Sequence, residues 1–443
     1  MRFQIHDLRF AICATGLVFA GLLAASAQET NRAPQMIDLP TALRLAGAQN
    51  LDVQIARERV REAAANHSSA VAQFFPWIST GIIYREHDGN IQDVQGNIID
   101  VNKYSYAPGG ALNAQVDLGD ALFKSLAAKQ TVRAAQHGLE AQRQESVLAA
   151  AAGYFKLALA QGAVGVAAEA LRISSDYENQ ITRAVEAGLA FKGDALRASV
   201  QTARNELALR QAREQQRIAA ALLAQTLRLD PSVELFAPAT ELAPLEVVTN
   251  TALSTLVVQA LTTNPELKQG TAFTAAARED KSGATFGPLI PTFSGQAFFG
   301  GLGGGRDGAP STFGGQQDYF VGASWRIGPG GLFDFTRVKA SDARLKSSEL
   351  GLEKLKDDLT RQVVEAFTRW QSLADQVQTA KRMLATAAEG LQLVQQRKEF
   401  AVGAVLETIQ AEQDLTRARL DYLQAVAEFN HAQYTLCKVT GRL

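Results

Sequence analysis

The sequence predicts a mostly α-helical chain with a β-barrel portion, built as a duplicated helix–hairpin–long-helix repeat. Three observations support this fold class. Landmark residues recur about 214 positions apart, as Asn50 and Asn264 do. Two stretches of about 70 residues have helical periodicity without a proline, and the segments after Pro76 and Pro291 alternate apolar with polar residues. A period above about 200 residues indicates a duplication rather than a solenoid.

The N-terminus is predicted to be an export signal over residues 1–27. Two arginines accompany an apolar run over 10–23, and an Ala-Ser-Ala cleavage site ends at Ala27. No later stretch has the roughly 18 uninterrupted apolar residues of a transmembrane helix, so we expect any membrane contact to use strands. The chain is 47% hydrophobic with a formal net charge of -1, which excludes a disordered or nucleic-acid-binding tail architecture.

The repeat landmarks divide the rest of the chain into two halves and a connector. Asn264 is a good N-cap before a proline at the first helical position, and Asn50 is its counterpart. Gly188 and Gly403 hold the same register as these two asparagines. The predicted parts are a first repeat at 28–229, a proline-containing connector at 230–247 and a second repeat at 248–443.

The helical stretches are predicted to be unusually long. Apolar residues step by three and four from Leu373 to Val394, which is a heptad seam that expects a partner helix. The stretches 121–187 and 332–402 could each form one helix of roughly 100 Å at 1.5 Å per residue. Shorter helices are predicted at about 194–228 and 405–440, after the glycines that end the long ones.

Two strand hairpins are predicted at about 76–119 and 291–328. Leu112, Val116 and Tyr319 belong to strands with one apolar and one polar face, whereas the glycine run 300–305 is predicted to be a flexible loop. Soluble hairpins packed on the helices are the alternative. Apolar outer faces, aromatic residues and an export signal favour a membrane barrel. Four strands are too few to close a barrel, so we expect other copies of the chain to supply the remaining strands.

The order of these signatures resembles the TolC-like outer-membrane efflux proteins. The resemblance rests on paired A-x-x-x-N-[LP]-[DE]-[VL] starts, P-x-[IF]-S strand openings, the strand exits VDLGDALF and WRIGPGGLF, and the glycine turns. It implies a homotrimer with a twelve-stranded barrel in the lipid of a Gram-negative outer membrane and a long α-helical periplasmic tunnel. It further implies a periplasmic adaptor protein and an inner-membrane transporter as partners.

The search for other chemistry gives no catalytic, cofactor or metal site. The histidines have no metal-ligand spacing, and Gly188 to Gly193 has P-loop glycine spacing but lacks the Lys-Ser/Thr that follows. We therefore predict a non-enzymatic channel or exit duct without cofactors and without nucleic acid. A periplasmic coiled-coil scaffold is the alternative, and the cargo, whether drugs, metals, metabolites or polypeptides, is left open.

Two carboxylates are predicted gate candidates. Asp194 and Glu407 each follow a glycine turn, at Gly188 and Gly403, in the first turn of a closing helix. The resemblance implies that these turns contact the adaptor at the periplasmic aperture, where threefold symmetry would gather like charges and attract cations. The alternative is that each acid only complements its helix dipole. The second turn is two residues shorter than the first, which could weaken the gate.

Overall fold

The computed structural model describes residues 35–238, 242–249, 251–306, 310–399 and 405–443. The predicted signal at 1–27 and Gly403 lie outside these residues. The first half contains β1 (Gln35–Met36), α1 (Leu39–Gln49), α2 (Leu51–Ala72), β2 (Trp77–His87), β3 (Asn90–Gln92), β4 (Ile98–Asp100), β5 (Lys103–Asp117), α3 (Leu118–Glu186), α4 (Lys192–Leu227) and β6 (Leu235–Phe236). The second contains α5 (Leu253–Thr263), α6 (Pro265–Phe286), a 3-10 turn (Gly287–Leu289), β7 (Thr292–Arg306), β8 (Thr312–Ser324), α7 (Phe335–Glu399) and α8 (Val405–Val439).

The two asparagines start equivalent helices, as the sequence predicted. Asn50 Oδ1 accepts the backbone N–H of Asp52 at 2.8 Å, and Asn264 Oδ1 accepts that of Glu266 at 2.8 Å. Each amide nitrogen also donates to a carbonyl near the end of the closing helix of its own half, Thr226 or Val439, both at 3.0 Å. One side chain therefore caps a helix and ties the start of that helix to the closing helix of the same repeat.

The predicted long helices are confirmed, with shifted ends. α3 has 69 residues and α7 has 65, so each extends for about 100 Å. The heptad seam of α7 is also confirmed, because Leu373, Val377 and Leu391 are buried and α7 packs along α8. Pairing of long helices is the arrangement such a seam requires.

α3 is long and apolar enough over one 18-residue window to cross a membrane by length and composition, and 33% of that window is buried. From the sequence, we predicted that only strands contact the membrane. That prediction missed this window because a single lysine interrupts the apolar run. α3 packs against five helices, namely α1, α2, α4, α6 and α8. Ala150, Ala151 and Leu157 are inaccessible to solvent in this packing. Its apolar composition is thus accounted for by its central place among the helices.

The four long strands form one antiparallel sheet in the order β2-β5-β7-β8. The two halves meet in its middle, where β5 pairs with β7 from Asp117↔Thr292 to Lys103↔Arg306. Within the described residues β2 and β8 have no partner on their outer sides. An antiparallel sheet with two open edges of this length calls for further strands.

Two strand predictions were wrong. β8 ends at Ser324, so Trp325 and Ile327 lie beyond it, where a turn containing Gly328 at φ 109° breaks the ladder. The glycine run 300–305 lies within β7 and is not a loop. The physical reason is cover from neighbouring strands: the ring of Tyr106 lies over Gly303 and leaves no room for a Cβ there. Aromatic rings that cross a glycine restore the packing a glycine strand lacks.

The connector packs on α8 through two buried amides. Asn430 accepts the N–H of Leu245 at 2.8 Å and donates to the carbonyl of Ala243 at 2.9 Å. Gln433 donates to the Leu245 carbonyl at 2.8 Å and accepts the N–H of Val247 at 2.8 Å. These side chains satisfy backbone groups as a neighbouring strand would, which holds an extended segment against a helix.

Candidate functional site

The four-stranded sheet has two chemically different faces. Residues that are partners across the ladder lie on the same face, so the register assigns each side chain. We call one the apolar face; its large exposed side chains are Ile78, Ile82, Tyr84, Leu112, Phe293, Phe299, Phe313, Tyr319 and Val321. The opposite face, which we call the polar face, includes Ser79, Arg85, Ser105, Asn113, Gln296, Gln316 and Asp318. It also carries the exposed apolar side chains of Ile83, Leu302 and Phe320. A sheet of this kind separates a hydrocarbon phase from water.

The polar face is the concave one. It forms a groove of about 600 Å³ whose lining includes Ser79, Arg85, Gln296 and Asp318. Ile83, Phe298 and Leu302 also line the groove, but none of the nine large apolar side chains of the apolar face does. Curvature and polarity therefore agree on which face would line the inside of a closed barrel.

The strands of the sheet connect to the long helices at a closely packed joint. Gly119, in the first turn of α3, touches the backbone of Gly287, and a Cβ at Gly119 would overlap that carbonyl. Asp120 accepts a hydrogen bond from Arg337 of α7 at 2.7 Å, which ties the two halves together. Burial opposes ionisation of Asp120, but Arg337 and Lys124 outweigh it and lower the pKa of this carboxyl.

Exposed aromatic side chains collect beside this joint. Phe75, Phe286, Trp325, Phe333 and Phe335 are each more than half exposed. Trp325 also donates its indole N–H to the carbonyl of Leu289 at 3.3 Å. Aromatic residues of this kind form the girdle of a membrane barrel at the lipid–water boundary, so the joint has the composition of a barrel rim.

The turn between α3 and α4 is at the opposite end of the long helices. Gly188 has a φ of 75°, and Leu189 donates to the Ala184 carbonyl at 2.8 Å while Gly188 donates to that of Val185 at 3.0 Å. This is the Schellman helix ending, which favours glycine because of the positive φ. Leu189 and Phe191 project from the turn and are largely exposed.

The two candidate carboxylates occupy equivalent positions but have different partners. Asp194 is the third residue of α4, and its carboxylate contacts Arg197 of the same helix at 3.3 Å. Glu407 is the third residue of α8, and it accepts a hydrogen bond from Arg397 of α7 at 2.6 Å. In the described part of the chain, no hydrogen bond or ion pair joins the two carboxylates. Glu407 thus links two helices, whereas Asp194 supports only its own.

Both closing helices are anchored to the same segment of α3. Tyr177 and Ile181 of α3 form a buried cluster with Ala198 of α4 and Ile409 of α8. Burial raises the pKa of the Tyr177 phenol, so this group is neutral at physiological pH. The cluster brings Asp194 and Glu407 to one end of the helical body. A groove of about 940 Å³ lies beside Glu407, between α7 and α8.

The sequence profile of the outer membrane efflux protein family matches residues 42–227 and again residues 256–442. The chain belongs to this family. As an outer membrane efflux protein it resides in the outer membrane with a periplasmic helical part, and it is an efflux or secretion channel.

One relative in sequence and two solved structures are also similar to this chain. Protein CyaE of Bordetella pertussis is 26% identical over 346 residues, which cover 74% of this chain and 70% of that protein. The crystal structure of a membrane protein from Pseudomonas aeruginosa superposes with a TM-score of 0.77 at 17% identity, covering 91% of this chain and 90% of that one. The Campylobacter jejuni CmeC outer membrane channel gives 0.75 at 14% identity, covering 91% and 85%.

Sequence reasoning missed the arginine that binds Glu407. Arg397 precedes it by ten residues across a turn, and periodicity does not reveal which side chains meet across a turn. It also missed the Asp120–Arg337 pair, whose members are 217 residues apart. Equivalent positions in the two repeats were a usable signal for the second pair, because both residues lie near the start of a long helix.

Proposed function

We propose that three copies of this chain join edge to edge into one closed barrel, with four strands from each copy giving twelve. The observation that carries this proposal is the sheet with one exposed apolar face and two open edges, β2 and β8. Barrel closure satisfies both edges, and spanning barrels start at about eight strands. The long helices of three copies then continue the barrel as a tunnel.

The tunnel is a passive exit duct that receives its cargo from an inner-membrane transporter through a periplasmic adaptor. Gly188 and the predicted second turn at Gly403 are the adaptor-contact turns. The exposed Leu189 and Phe191 support this role, because unpartnered apolar side chains at a helix tip favour a protein contact. Drugs, metals, metabolites and polypeptides are all open as cargo.

Glu407 and Asp194 are the candidate residues of the periplasmic aperture. The ion pair between Glu407 and Arg397 holds α8 to α7 and would have to break for these helices to separate. Asp194 contacts Arg197 on its own helix, so it stays paired in either state. Gating therefore falls mainly to Glu407.

A periplasmic coiled-coil scaffold accounts for α3 and α7 but leaves the apolar face of the sheet without a partner. An experiment on topology separates the two functions. The free cysteine of the described residues, Cys437, is buried and gives little background. A Val94→Cys variant, altered in the outer hairpin, should react with an impermeant maleimide on intact cells, whereas Leu189→Cys should react only after the outer membrane is permeabilised.

The oligomeric state is tested on the same material. Native mass spectrometry of detergent-extracted protein should give three chains, and planar bilayers should show discrete conductance steps. Extraction without detergent, or equal labelling of both cysteines on intact cells, would refute the duct.

A further inference from the structure

Basic side chains line one end of the polar face. His87 of β2, Lys103 of β5 and Arg306 of β7 are consecutive partners across the ladder, and Arg85 lies two residues from His87 on the same face. We call these four residues the basic row. Partner residues on adjacent strands are about 5 Å apart, and residues i and i+2 of a strand about 7 Å, so the charges form one patch.

Within the described residues, no acidic side chain lies beside the basic row on the polar face at this height. Among the described residues, Arg85, Lys103 and Arg306 appear in no salt bridge. Glu86 belongs to the opposite face, where it accepts a hydrogen bond from Tyr84 at 3.0 Å. Asp318 shares the polar face but pairs at the level of Ser79, six residues or about 20 Å along the strand from Arg85.

Like charges on opposed strand positions destabilise a sheet, so nothing in the folding of β2, β5 and β7 favours this arrangement. The acids that follow, Asp88, Asp93 and Asp100, are on the turn and the small β3–β4 hairpin beyond the sheet. A concave surface with charges of one sign concentrates counter-ions. The basic row thus has the properties of an anion-attracting surface.

We propose that the basic row forms an anion-binding ring inside the outer mouth of the channel, so that anionic solutes with carboxylate, sulfate or phosphate groups are the cargo it releases most readily. This inference rests on the proposed trimeric duct. Each chain contributes Arg85, Lys103 and Arg306, and threefold symmetry closes the row into a ring. Arginine and lysine both bind such oxyanions through charge-assisted hydrogen bonds.

The face on which the basic row lies decides whether its ligand is a solute in the channel or a membrane lipid. A basic row on the outer surface would bind phosphates of the membrane lipid. The apolar face at this height carries Tyr84, Tyr106 and Phe313, with the last two rings stacked at 6.0 Å, and that is the surface suited to lipid. The basic row on the other face therefore meets the solution inside the barrel.

Sided block of the channel by inorganic tripolyphosphate tests the proposal. In planar bilayers at 0.1 M KCl, tripolyphosphate added on the barrel side should block at a concentration at least about tenfold lower than on the helical side. The variant that combines Arg85→Gln, Lys103→Gln and Arg306→Gln should raise the half-blocking concentration about tenfold or more and lower the chloride-to-potassium permeability ratio. Raising KCl to 1 M should weaken the block in the unmodified channel.

Glu86→Gln is the matched control, because it changes one charge at the same height on the apolar face. It should leave the half-blocking concentration within about twofold. Equal block of the unmodified and triple-variant channels, or an equal shift with Glu86→Gln, would overturn the anion ring while leaving the duct intact. Absence of trimers and of conductance would instead refute the duct. If the triple variant does not assemble, Lys103→Gln alone should raise the half-blocking concentration about threefold, and no change would overturn the ring.

Discussion

Glu407→Gln should open the periplasmic aperture. The substitution keeps the size of the side chain but removes the charge that accepts from Arg397 at 2.6 Å. That contact joins the first turn of α8 to the end of α7, the helices on either side of the second turn. We expect the loss of this link to favour separation of α7 and α8.

The size of the effect follows from the exposure of the pair. The side chains of Arg397 and Glu407 are 55% and 38% exposed, so solvent screens them. Pairs of this kind contribute about 0.2–1 kcal/mol. Three equivalent pairs in the proposed trimer would favour the closed state by about 0.6–3 kcal/mol, which corresponds to a change in the ratio of open to closed channels of about threefold to 150-fold.

Single-channel recording in planar bilayers measures this change. Glu407→Gln and Arg397→Gln should both raise the open probability, since either breaks the pair, and they should shift cation selectivity in opposite directions. Asp194→Asn is the matched control, because within the described residues the ion pair of its carboxylate is with Arg197 of its own helix. If Glu407→Gln and the double change with Asp194→Asn alter only heat stability, the carboxylates complement helix dipoles, worth about 0.3–1 kcal/mol each, and the gate lies elsewhere.

Three further changes test the packing that positions the channel. Asp120→Asn should lower the melting temperature at pH 7, because the pKa of the Asp120 carboxyl is depressed in the folded protein. The stabilisation is therefore present above the pKa of the unfolded chain, near 4, and is lost as the pH falls through the pKa of the folded protein. The melting temperatures of the variant and the unmodified protein should converge in acid. Gln433→Leu should cost about 2–3 kcal/mol by leaving backbone groups of the connector unpaired, whereas Gln424→Leu, exposed on the same helix, should change stability by less than about 0.5 kcal/mol in urea unfolding. Gly303→Ala should reduce the yield of assembled protein in detergent extracts by crowding a neighbouring ring, and Gly314→Ala, which faces open space, should not.

Sequence alone was sufficient for the parts of the fold that local patterns determine. The heptad spacing from Leu373 predicted that α7 is a long helix and that it packs along another helix, since an apolar seam must be buried. Asn50 and Asn264 marked two helix starts, because an N-cap side chain acts within three residues of itself. These features depend on neighbours in the sequence, which is why they could be predicted.

Contacts that depend on register between distant strands could not be predicted. The glycine run 300–305 has poor strand propensity, and its place in β7 follows from Tyr106 lying across Gly303 from a strand nearly 200 residues earlier. The basic row has the same origin, since Lys103 and Arg306 share a face only through the β5–β7 pairing. Once that register is known, alternation along each strand assigns every charge to its face.

The two repeats differ most where the proposed duct has to move. Asp194 and Glu407 are both third residues of a closing helix, yet the first contacts its own helix and the second contacts the preceding one. The first turn ends α3 in a complete Schellman motif, and α3 packs against five helices, so α4 rests on the most constrained helix of the chain. α8 is held to α3 at this end through the buried Ile409, but it is joined to α7 by an exposed ion pair, which breaks at low cost. We infer that duplication gave the channel one helix pair that stays fixed and one that opens, with Glu407 at the boundary between them.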